Sequence, residues 1–145
     1  MIDFIVMIVR HFRDDDEDTF LQMCGEFYQT NATLHKYSET TARKTFNRII
    51  EQHENLWGFL ILDKDSLAPI GYSLITSYWC NEEGGNVLII DEIFIKPEFR
   101  HKGHGRLFVE WLEKHFSDDA VSVTLEVLTT NANAKALYEK EGFTP

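Results

Sequence analysis

A strand followed by a glycine-rich basic loop and a helix is the part of this sequence whose residue types favour chemistry. Residues 87–95 form an apolar run typical of a buried strand, and Pro97 ends it. The segment Arg100-x-x-Gly103-x-Gly105 then leads into an amphipathic helix predicted to begin near Gly105. Glycines let backbone approach a ligand, and a helix N-terminus offers unpaired N–H groups and partial positive charge. The stretch therefore predicts a phosphate-binding loop.

The charge of this loop supports that interpretation. The whole chain is acidic, with a formal charge of −10 at pH 7, whereas three basic side chains crowd the loop. The phosphate would be bound by backbone N–H groups and local positive charge, in a segment comprising Arg100, His101, Lys102, Gly103, His104, Gly105 and Arg106. The alternative is a plain strand–turn–helix connection, which needs none of the basic residues in order to fold.

Composition limits the class of protein. The 145 residues have the size of a single domain, predicted to span 1–145, and can bury a core. The acidic balance argues against nucleic-acid binding, because phosphate backbones require basic patches, and it mildly favours a cationic small molecule. Cys24 and Cys80 have neither metal-ligand nor disulfide spacing, so we predict no metal site. No apolar run is long enough for a signal sequence or membrane span, and we therefore expect a cytoplasmic protein without a membrane partner.

The order of predicted elements indicates an α/β fold with a mixed, mostly antiparallel sheet and about four helices. Residues 1–10 are predicted as the first strand, and strands at 56–62 and 70–79 precede the central strand as antiparallel neighbours. Alternating apolar and polar residues from Val121 to Val127 predict a half-buried strand, and a last helix follows over residues 131–141.

Two further segments bear on the site. Residues 14–18 are an acidic run, interpreted as the start of a helix because carboxylates stabilise its positive end. The alternative, a metal or amine site, has no second ligand in view. The helix that follows is predicted to bury one face, with Cys24 a free thiol, formed by Phe20, Met23, Cys24 and Phe27. His35 and Tyr37 lie in the next polar loop and are candidates for lining a substrate pocket.

A second motif lies near the C-terminus and is Asn131-x-x-Ala134-x-x-Leu137-Tyr138-x-x-x-Gly142-Phe143. Together with Arg100-x-x-Gly103-x-Gly105, it resembles the GCN5-related N-acetyltransferases, and the order of strands and helices fits that family over nearly the whole chain. The resemblance implies the fold of that family, with acetyl-CoA as cofactor. It also implies transfer of the acetyl group to a primary amine, most readily a small cationic one, by direct attack.

The resemblance assigns cofactor contacts. Residues matching the family's pantetheine positions are Ile93, Phe94 and Ile95, where an extended amide chain can pair with strand backbone. The N–H groups of residues 101–106 would bind the CoA pyrophosphate. Asn131 would hydrogen-bond the cofactor or cap the last helix, and both roles are compatible.

The catalytic residues are also implied by the resemblance. Tyr138 matches the family's general acid, since a phenol of pKa about 10 can protonate a thiolate of pKa about 8.5; the alternative is core packing. Glu126 matches the base of the branch that acetylates protein N-termini, with the same spacing to Asn131, and the alternative is a structural polar residue. Asp91 and Glu92 are a second pair of candidate bases, with Glu92 closer to the expected acetyl site.

The sequence departs from the family in one respect. The family's fold usually has one or two further strands beyond Gly142-Phe143, whereas this chain stops at Pro145. We expect a longer natural chain or a partner, such as a second copy in a homodimer, that supplies the edge. Two other functions stay open. One is a protein N-terminal acetyltransferase, favoured by Glu126, and the other is a non-catalytic acyl-CoA-binding module, which would not need Tyr138.

Overall fold

The computed structural model describes residues 7–30, 33–52, 54–125, 132–140 and 142–144. The five strands within this part are β1 (Met7–His11), β2 (Leu56–Asp63), β3 (Pro69–Cys80), β4 (Gly85–Ile95) and β5 (Ser122–Leu125). The α-helices are α1 (Glu17–Phe27), α2 (Glu39–Ile50), α3 (His104–His115) and α4 (Ala132–Lys140). Short 3₁₀ turns cover Asp14–Asp16 and Pro97–Phe99.

The strands form one sheet in chain order. β1 to β4 are antiparallel neighbours, whereas β5 lies parallel to β4, with Val87 to Ile90 opposite Ser122 to Leu125. A parallel pair requires a crossover connection, and α3 provides it. The predicted α/β class, with a mixed and mostly antiparallel sheet and about four helices, is therefore confirmed.

Each face of the sheet carries its own apolar core. The face covered by α1 and α2 buries an aromatic group that includes Phe12, Phe20, Phe46, Tyr72 and Phe94. The face covered by α3 buries a second group that includes Phe59, Ile75, Leu88, Phe108 and Leu112. The predicted face of α1 is confirmed, because all four of its residues are buried.

β4 contains one extra residue that the sequence pattern did not predict. Leu74 of β3 pairs with Glu92, whereas the next residue of β3, Ile75, pairs with Ile90, so Asp91 forms a β-bulge. Strand side chains alternate between faces, and an extra residue therefore turns every later side chain to the opposite face. As a result Glu92 points toward α1 and not toward α3.

The acidic run leads into α1 as predicted, and one of its carboxylates forms an ion pair with β1. Asp16 is buried, and its carboxylate accepts hydrogen bonds of 2.7 and 3.0 Å from the Arg10 guanidinium. It accepts a third, of 2.7 Å, from the Arg13 N–H. These bonds join the end of β1 to the first turn before α1, and so fix the direction in which α1 crosses the sheet.

Several predicted boundaries differ from the structure. β1 begins at Met7, and residues 1–6 lie outside the described part of the chain. Val121, expected in the half-buried strand, lies before β5 and is 53% exposed. The helix expected near Gly105 begins at His104. Among the described residues, no helix is both long and apolar enough to cross a membrane.

Candidate active site

Glu92 lies at the centre of a group of hydrogen-bonding side chains between β4 and α1. Its Oε1 accepts a hydrogen bond of 2.8 Å from the Tyr72 hydroxyl, and its Oε2 accepts one of 2.8 Å from the Tyr28 hydroxyl. The Cys24 Sγ lies 3.9 Å from Oε1. The Ser73 hydroxyl donates to the Glu92 backbone carbonyl at 2.8 Å. Both oxygens of the carboxylate are thereby held in place.

Local structure explains why these groups meet. Cys24 and Tyr28 are four residues apart at the C-terminal end of α1, so they project from one face of that helix. Tyr72 lies on β3 beside β4 and points to the same side of the sheet as α1. The bulge at Asp91 then brings Glu92 to that side. Without the extra residue, the carboxylate would face the apolar core under α3.

The environment of Glu92 disfavours its charged form relative to a glutamate in water. Burial raises the pKa of Glu92 above its usual value, the neighbouring Asp91 charge raises it further, and the two phenol hydroxyls oppose this increase. Burial and the Glu92 charge raise the pKa of the Cys24 thiol to about 12, so this thiol is not a nucleophile at neutral pH. Cys24 is a buried free thiol, as predicted. A carboxylate with a raised pKa suits a general base.

A cavity of about 260 Å³ opens beside Glu92. It lies between α1, the following loop and the start of α2, and its lining includes Phe20, Cys24, Tyr28, Leu74 and Glu92. His35 and Tyr37, the two predicted pocket residues, also line it, together with Lys36, Ser38, Thr41, Ala42 and Thr45. An aromatic and hydroxylated cavity with one carboxylate in its lining suits an organic amine.

After the bulge, the backbone N–H and C=O groups of β4 point alternately toward β3 and toward the outer edge of the strand. The Lys96 N–H donates to the Ile70 carbonyl at 2.8 Å. This bond shows which residues of β4 form hydrogen bonds with β3 and which lie between them. In an antiparallel pair, residues alternately point their N–H and C=O groups toward and away from the partner strand. Ile93 and Ile95 therefore point these groups away from β3, whereas Phe94 uses them within the sheet.

The outer edge of β4 is thus the place where an extended amide chain can pair. The described pairing of β4 with β5 ends at Ile90 and Leu125, before this segment begins. We accordingly narrow the predicted pantetheine contact from three residues to Ile93 and Ile95. The Ile95 carbonyl already accepts a hydrogen bond of 2.7 Å from Arg100 Nε.

The loop before α3 has the geometry expected of an anion-binding turn. Gly103 is the N-cap of α3, and its φ of +86° is a conformation that glycine adopts without strain. The first α3 hydrogen bond runs from the Leu107 N–H to the Gly103 carbonyl at 3.0 Å, so the N–H groups of His104 and Gly105 precede it. A Cβ at Gly103 would meet only Arg106 Nη2, at 3.7 Å. The approach to the turn is open.

The side chains of this loop have separate contacts. Arg100 lies 5.5 Å from the centre of the Phe94 ring, and Lys102 lies 5.7 Å from that of Phe99. Arg106 forms an ion pair of 3.2 Å with Glu110, one turn later in α3. All three cations are exposed beside the turn.

The two histidines of the loop differ. The His104 ring is buried, and its Nδ1 lies 3.0 Å from the Phe99 carbonyl oxygen. The side chain therefore has a structural contact, whereas the backbone N–H of His104 is one of those at the start of α3. His101 is exposed and has a φ of +62°, which a non-glycine residue rarely adopts. Two left-handed residues, His101 and Gly103, therefore shape the loop around the first turn of α3.

Tyr138 is anchored by the end of α4. The Gly142 N–H donates to the Glu139 carbonyl at 3.1 Å, and the Phe143 N–H donates to the Tyr138 carbonyl at 3.0 Å. With a φ of +95° at Gly142, this is a Schellman motif. Gly142 thus follows the end of α4 in the conformation that this motif requires. The Phe143 ring packs 5.9 Å from the Tyr138 ring, and burial raises the pKa of Tyr138 to about 12. The hydroxyl keeps its proton at neutral pH but donates it less readily than an ordinary phenol.

The candidate catalytic residues are not all placed together. Glu92 faces α1, whereas Tyr138 packs against the core on the α3 side of the sheet. Two sides of the sheet thus carry the candidate base and the candidate acid. Glu126, the alternative base, and Asn131 lie outside the described residues. Asp91 is exposed at the bulge.

Sequence reasoning missed Tyr28 and Tyr72 as partners of Glu92. Tyr28 had a detectable signal, because it follows Cys24 by four residues on a helix whose buried face was already predicted. Tyr72 had none, since one aromatic residue in an apolar strand does not show which side chain it will contact.

Comparison with protein families decides the classification. The model of the acetyltransferase (GNAT) family matches residues 13–143. This chain belongs to the GNAT family. The resemblance drawn from the two sequence motifs is thereby confirmed.

Curated relatives of this GNAT chain act on different amines, according to their names. N-alpha-acetyltransferase 60 from Xenopus tropicalis is 26% identical over 145 residues, which cover 94% of this chain and 59% of the relative. D-amino-acid N-acetyltransferase HPA3 from Saccharomyces cerevisiae is 21% identical over 152 residues, covering 94% of this chain and 92% of the relative. The chain thus spans less than two thirds of the first of these relatives.

Solved structures share the fold at low sequence identity. A possible acetyltransferase from Clostridium difficile 630 has a TM-score of 0.79 and 21% identity, over 97% of this chain and 92% of that protein. Aminoglycoside N-acetyltransferase AAC(6')-Iy, solved in complex with CoA, has a TM-score of 0.78 and 13% identity, over 100% of this chain and 93% of that protein. These similarities establish the fold alone.

Proposed function

We propose that this chain is an acetyl-CoA-dependent N-acetyltransferase whose acceptor is a primary amine. The observation that carries the proposal is the position of Glu92, a carboxylate with a raised pKa in the lining of a cavity. Beyond the bulge, the same strand presents backbone groups along its outer edge. A base and a strand edge on the same strand would hold the amine and an extended thioester cosubstrate close together.

The residues fit acetyl-CoA. The N–H groups at the start of α3, with the cations of Arg100, Lys102 and Arg106 beside them, would bind its phosphates. The outer edge of β4 at Ile93 and Ile95 would pair with its amide chain. When bound, acetyl-CoA supplies an activated acetyl group and a thiolate leaving group.

The proton transfers would divide between a base on the α1 side of the sheet, Glu92, and an acid on the α3 side, Tyr138. An alkyl amine is mostly protonated at neutral pH and must lose a proton before it can attack a carbonyl. Glu92 would take that proton and release it to solvent afterwards. Tyr138, which holds its proton at neutral pH, would donate to the leaving sulfur. Glu126 would replace Glu92 as base in the alternative assignment.

We infer a small cationic amine as the acceptor. The support is the cavity of about 260 Å³, which fits a small molecule, and the Glu92 carboxylate, which attracts an ammonium group. A protein N-terminal acetyltransferase is the second candidate, favoured by the similarity to N-alpha-acetyltransferase 60 and by the spacing of Glu126 and Asn131. A non-catalytic acyl-CoA-binding module is the third.

One acceptor screen separates the three. The protein would be incubated with acetyl-CoA and, in turn, phenethylamine, spermidine, kanamycin, D-alanine and a peptide with a free N-terminal methionine. Thiol release would be recorded and the acetylated product identified by mass spectrometry. The proposal predicts acetylation of a small amine. Acetylation of the peptide alone supports the N-terminal enzyme, and binding of acetyl-CoA without turnover supports the non-catalytic module.

We also propose that the chain forms a homodimer through β5. In the described residues β5 is the last strand of the sheet and pairs only with β4, and an unpaired strand edge tends to associate with another strand. Light scattering across a range of concentrations checks this. A monomer at every concentration would exclude the proposed association.

A further inference from the structure

We propose that Tyr28 is a catalytic residue that relays the proton from the acceptor amine to Glu92. The inference rests on the proposed function and names a residue that neither sequence motif contains. It starts from a difference in exposure between Tyr28 and Tyr72, the two tyrosines whose hydroxyls bind Glu92.

The two tyrosines bind the carboxylate equally but differ in exposure. Each donates one hydrogen bond of 2.8 Å, Tyr72 to Oε1 and Tyr28 to Oε2. Tyr72 is fully buried, whereas Tyr28 is half-buried and lines the cavity. In the described part of the chain, Tyr28 is therefore the phenol that both binds Glu92 and borders the acceptor cavity.

The contacts of the carboxylate oxygens connect the cavity to Glu92 through Tyr28, although Glu92 and Cys24 also line that cavity. Oε1 faces the Tyr72 hydroxyl and the Cys24 sulfur, both of which are buried. Oε2 is bound by Tyr28, which lies toward the cavity. A phenol oxygen that donates its hydrogen still has lone pairs to accept one. An ammonium group beside Tyr28 is thus joined to Oε2 by a continuous chain of hydrogen bonds.

The proposed step balances protons and bonds. The ammonium gives a proton to the Tyr28 oxygen as Tyr28 gives its own proton to Glu92 Oε2, so the products are a neutral amine, a neutral phenol and a carboxylic acid. The amine nitrogen then bonds to the acetyl carbon, the carbon–sulfur bond breaks, and Tyr138 gives its proton to the sulfur. The nitrogen loses its second proton, which restores the Tyr138 phenol by way of solvent. Glu92 finally releases its proton to water.

Tyr28 does not need to ionise as a separate step. Burial, the hydrogen bond to Glu92 and the nearby negative charge all raise the pKa of Tyr28, so a free tyrosinate is disfavoured. Both proton transfers must therefore be concerted. The titratable groups around the pair are Cys24, Tyr72 and Asp91, and His35 and Lys36 line the same cavity.

A matched pair of variants tests the relay. Tyr28→Phe and Tyr72→Phe each keep the ring and each remove one donor from Glu92. Each should therefore raise the pKa of Glu92 and move the acidic limb of the kcat/KM profile to higher pH by roughly one unit. Only Tyr28→Phe should also lower the plateau above that limb, by roughly 10²–10⁴. Tyr72→Phe should lower it by less than about tenfold.

The assay would use acetyl-CoA and whichever amine of the screen above gives the highest kcat/KM. A plateau for Tyr28→Phe within a few-fold of that for Tyr72→Phe would overturn the relay. So would a full additional loss when Tyr28→Phe is combined with Glu92→Gln, because a relay to Glu92 has no effect once the base is absent. Thermal unfolding of each variant confirms that it folds. Absence of turnover by the unaltered protein with every amine contradicts the proposed function itself, whereas a loss in Glu92→Gln but not in Tyr28→Phe contradicts only the relay.

Discussion

Replacing Glu92 with glutamine should reduce the activity of the protein without reducing its stability. Glutamine has nearly the same shape as glutamate but takes up no proton at neutral pH. If Glu92 is the base, kcat should fall by roughly 10²–10⁴, while the affinity for acetyl-CoA should change little. A residue needed only for folding would instead reduce stability and activity together.

The stability of this variant can be estimated from the contacts of Glu92. Hydrogen bonds to a charged group contribute about 1.5–3 kcal/mol and neutral ones about 0.5–1.5 kcal/mol. The glutamine oxygen can still accept from one phenol, whereas its NH₂ group only donates, so the other phenol must accept instead. The two changes together cost about 2–3 kcal/mol. Against this, glutamine carries no buried charge. Burial outweighs the phenol bonds, because the pKa of Glu92 is raised in spite of them. We therefore expect Glu92→Gln to be at least as stable as the unaltered protein at pH 7.

The pH dependence of stability has a definite sign. The folded protein binds a proton at Glu92 more tightly than the unfolded chain, whose glutamate titrates near 4.5. Stability of the unaltered protein therefore declines as pH rises from about that value through the raised pKa. The free energy of unfolding of Glu92→Gln lacks this decline, so the difference between the two proteins should grow across that interval.

Urea unfolding from pH 4 to 8, with thiol-release kinetics on the same samples, measures both effects. Asp91→Asn is the matched comparison, because it removes the other candidate carboxylate of β4. It should keep most of the activity if Glu92 is the base. Glu92→Ala is the contrasting variant. It leaves two phenol hydroxyls without their acceptor and should lose about 2–6 kcal/mol. Full activity in Glu92→Gln would refute the assignment of the base.

Three further predictions concern Tyr138, Gly103 and the ion pair of Asp16. Tyr138→Phe should reduce kcat by roughly 10²–10⁴ with little change in the KM for acetyl-CoA, and unchanged steady-state rates would show that another group protonates the sulfur. Gly103→Ala should lower the free energy of unfolding by about 1 kcal/mol, because φ is +86° at this position. It should also weaken acetyl-CoA binding in calorimetric titrations, and an unchanged affinity would contradict the assignment of this loop as the phosphate-binding site. Although burial opposes it, the hydrogen bonds from Arg10 and Arg13 lower the pKa of Asp16, so Asp16→Asn should cost about 2 kcal/mol at pH 7. That cost should shrink in thermal unfolding as pH falls below 3.8 toward the lowered pKa, and a constant cost contradicts the ion pair.

The sequence predicted those features that depend on local spacing. The buried face of α1 followed from apolar residues at helical intervals, and the end of α4 followed from Gly142, whose positive φ the Schellman motif requires. The glycine loop was recognisable because few other residue types permit the backbone conformation at Gly103. Each of these depends on neighbours within one or two turns of the chain.

The surroundings of Glu92 could not be predicted in the same way. No glycine or proline marks the bulge at Asp91. Without this bulge, the alternation of side chains along β4 would place Glu92 on the face covered by α3. The carboxylate then contacts Tyr28, which is 64 residues away in the sequence, and Tyr72, which is 20 away. Such contacts depend on how α1 packs against the sheet, and a single sequence does not specify that.

The claim on which the proposed function depends is that acetyl-CoA binds along the outer edge of β4 and at the first turn of α3. Amide chemical shifts of the ¹⁵N-labelled protein, recorded while acetyl-CoA is added, test it directly. We predict that the largest changes occur at Ile93, Ile95, Gly103 and Gly105, with β1 and β2 little affected. Saturating changes confined to other segments, or no change at millimolar acetyl-CoA, would contradict the account.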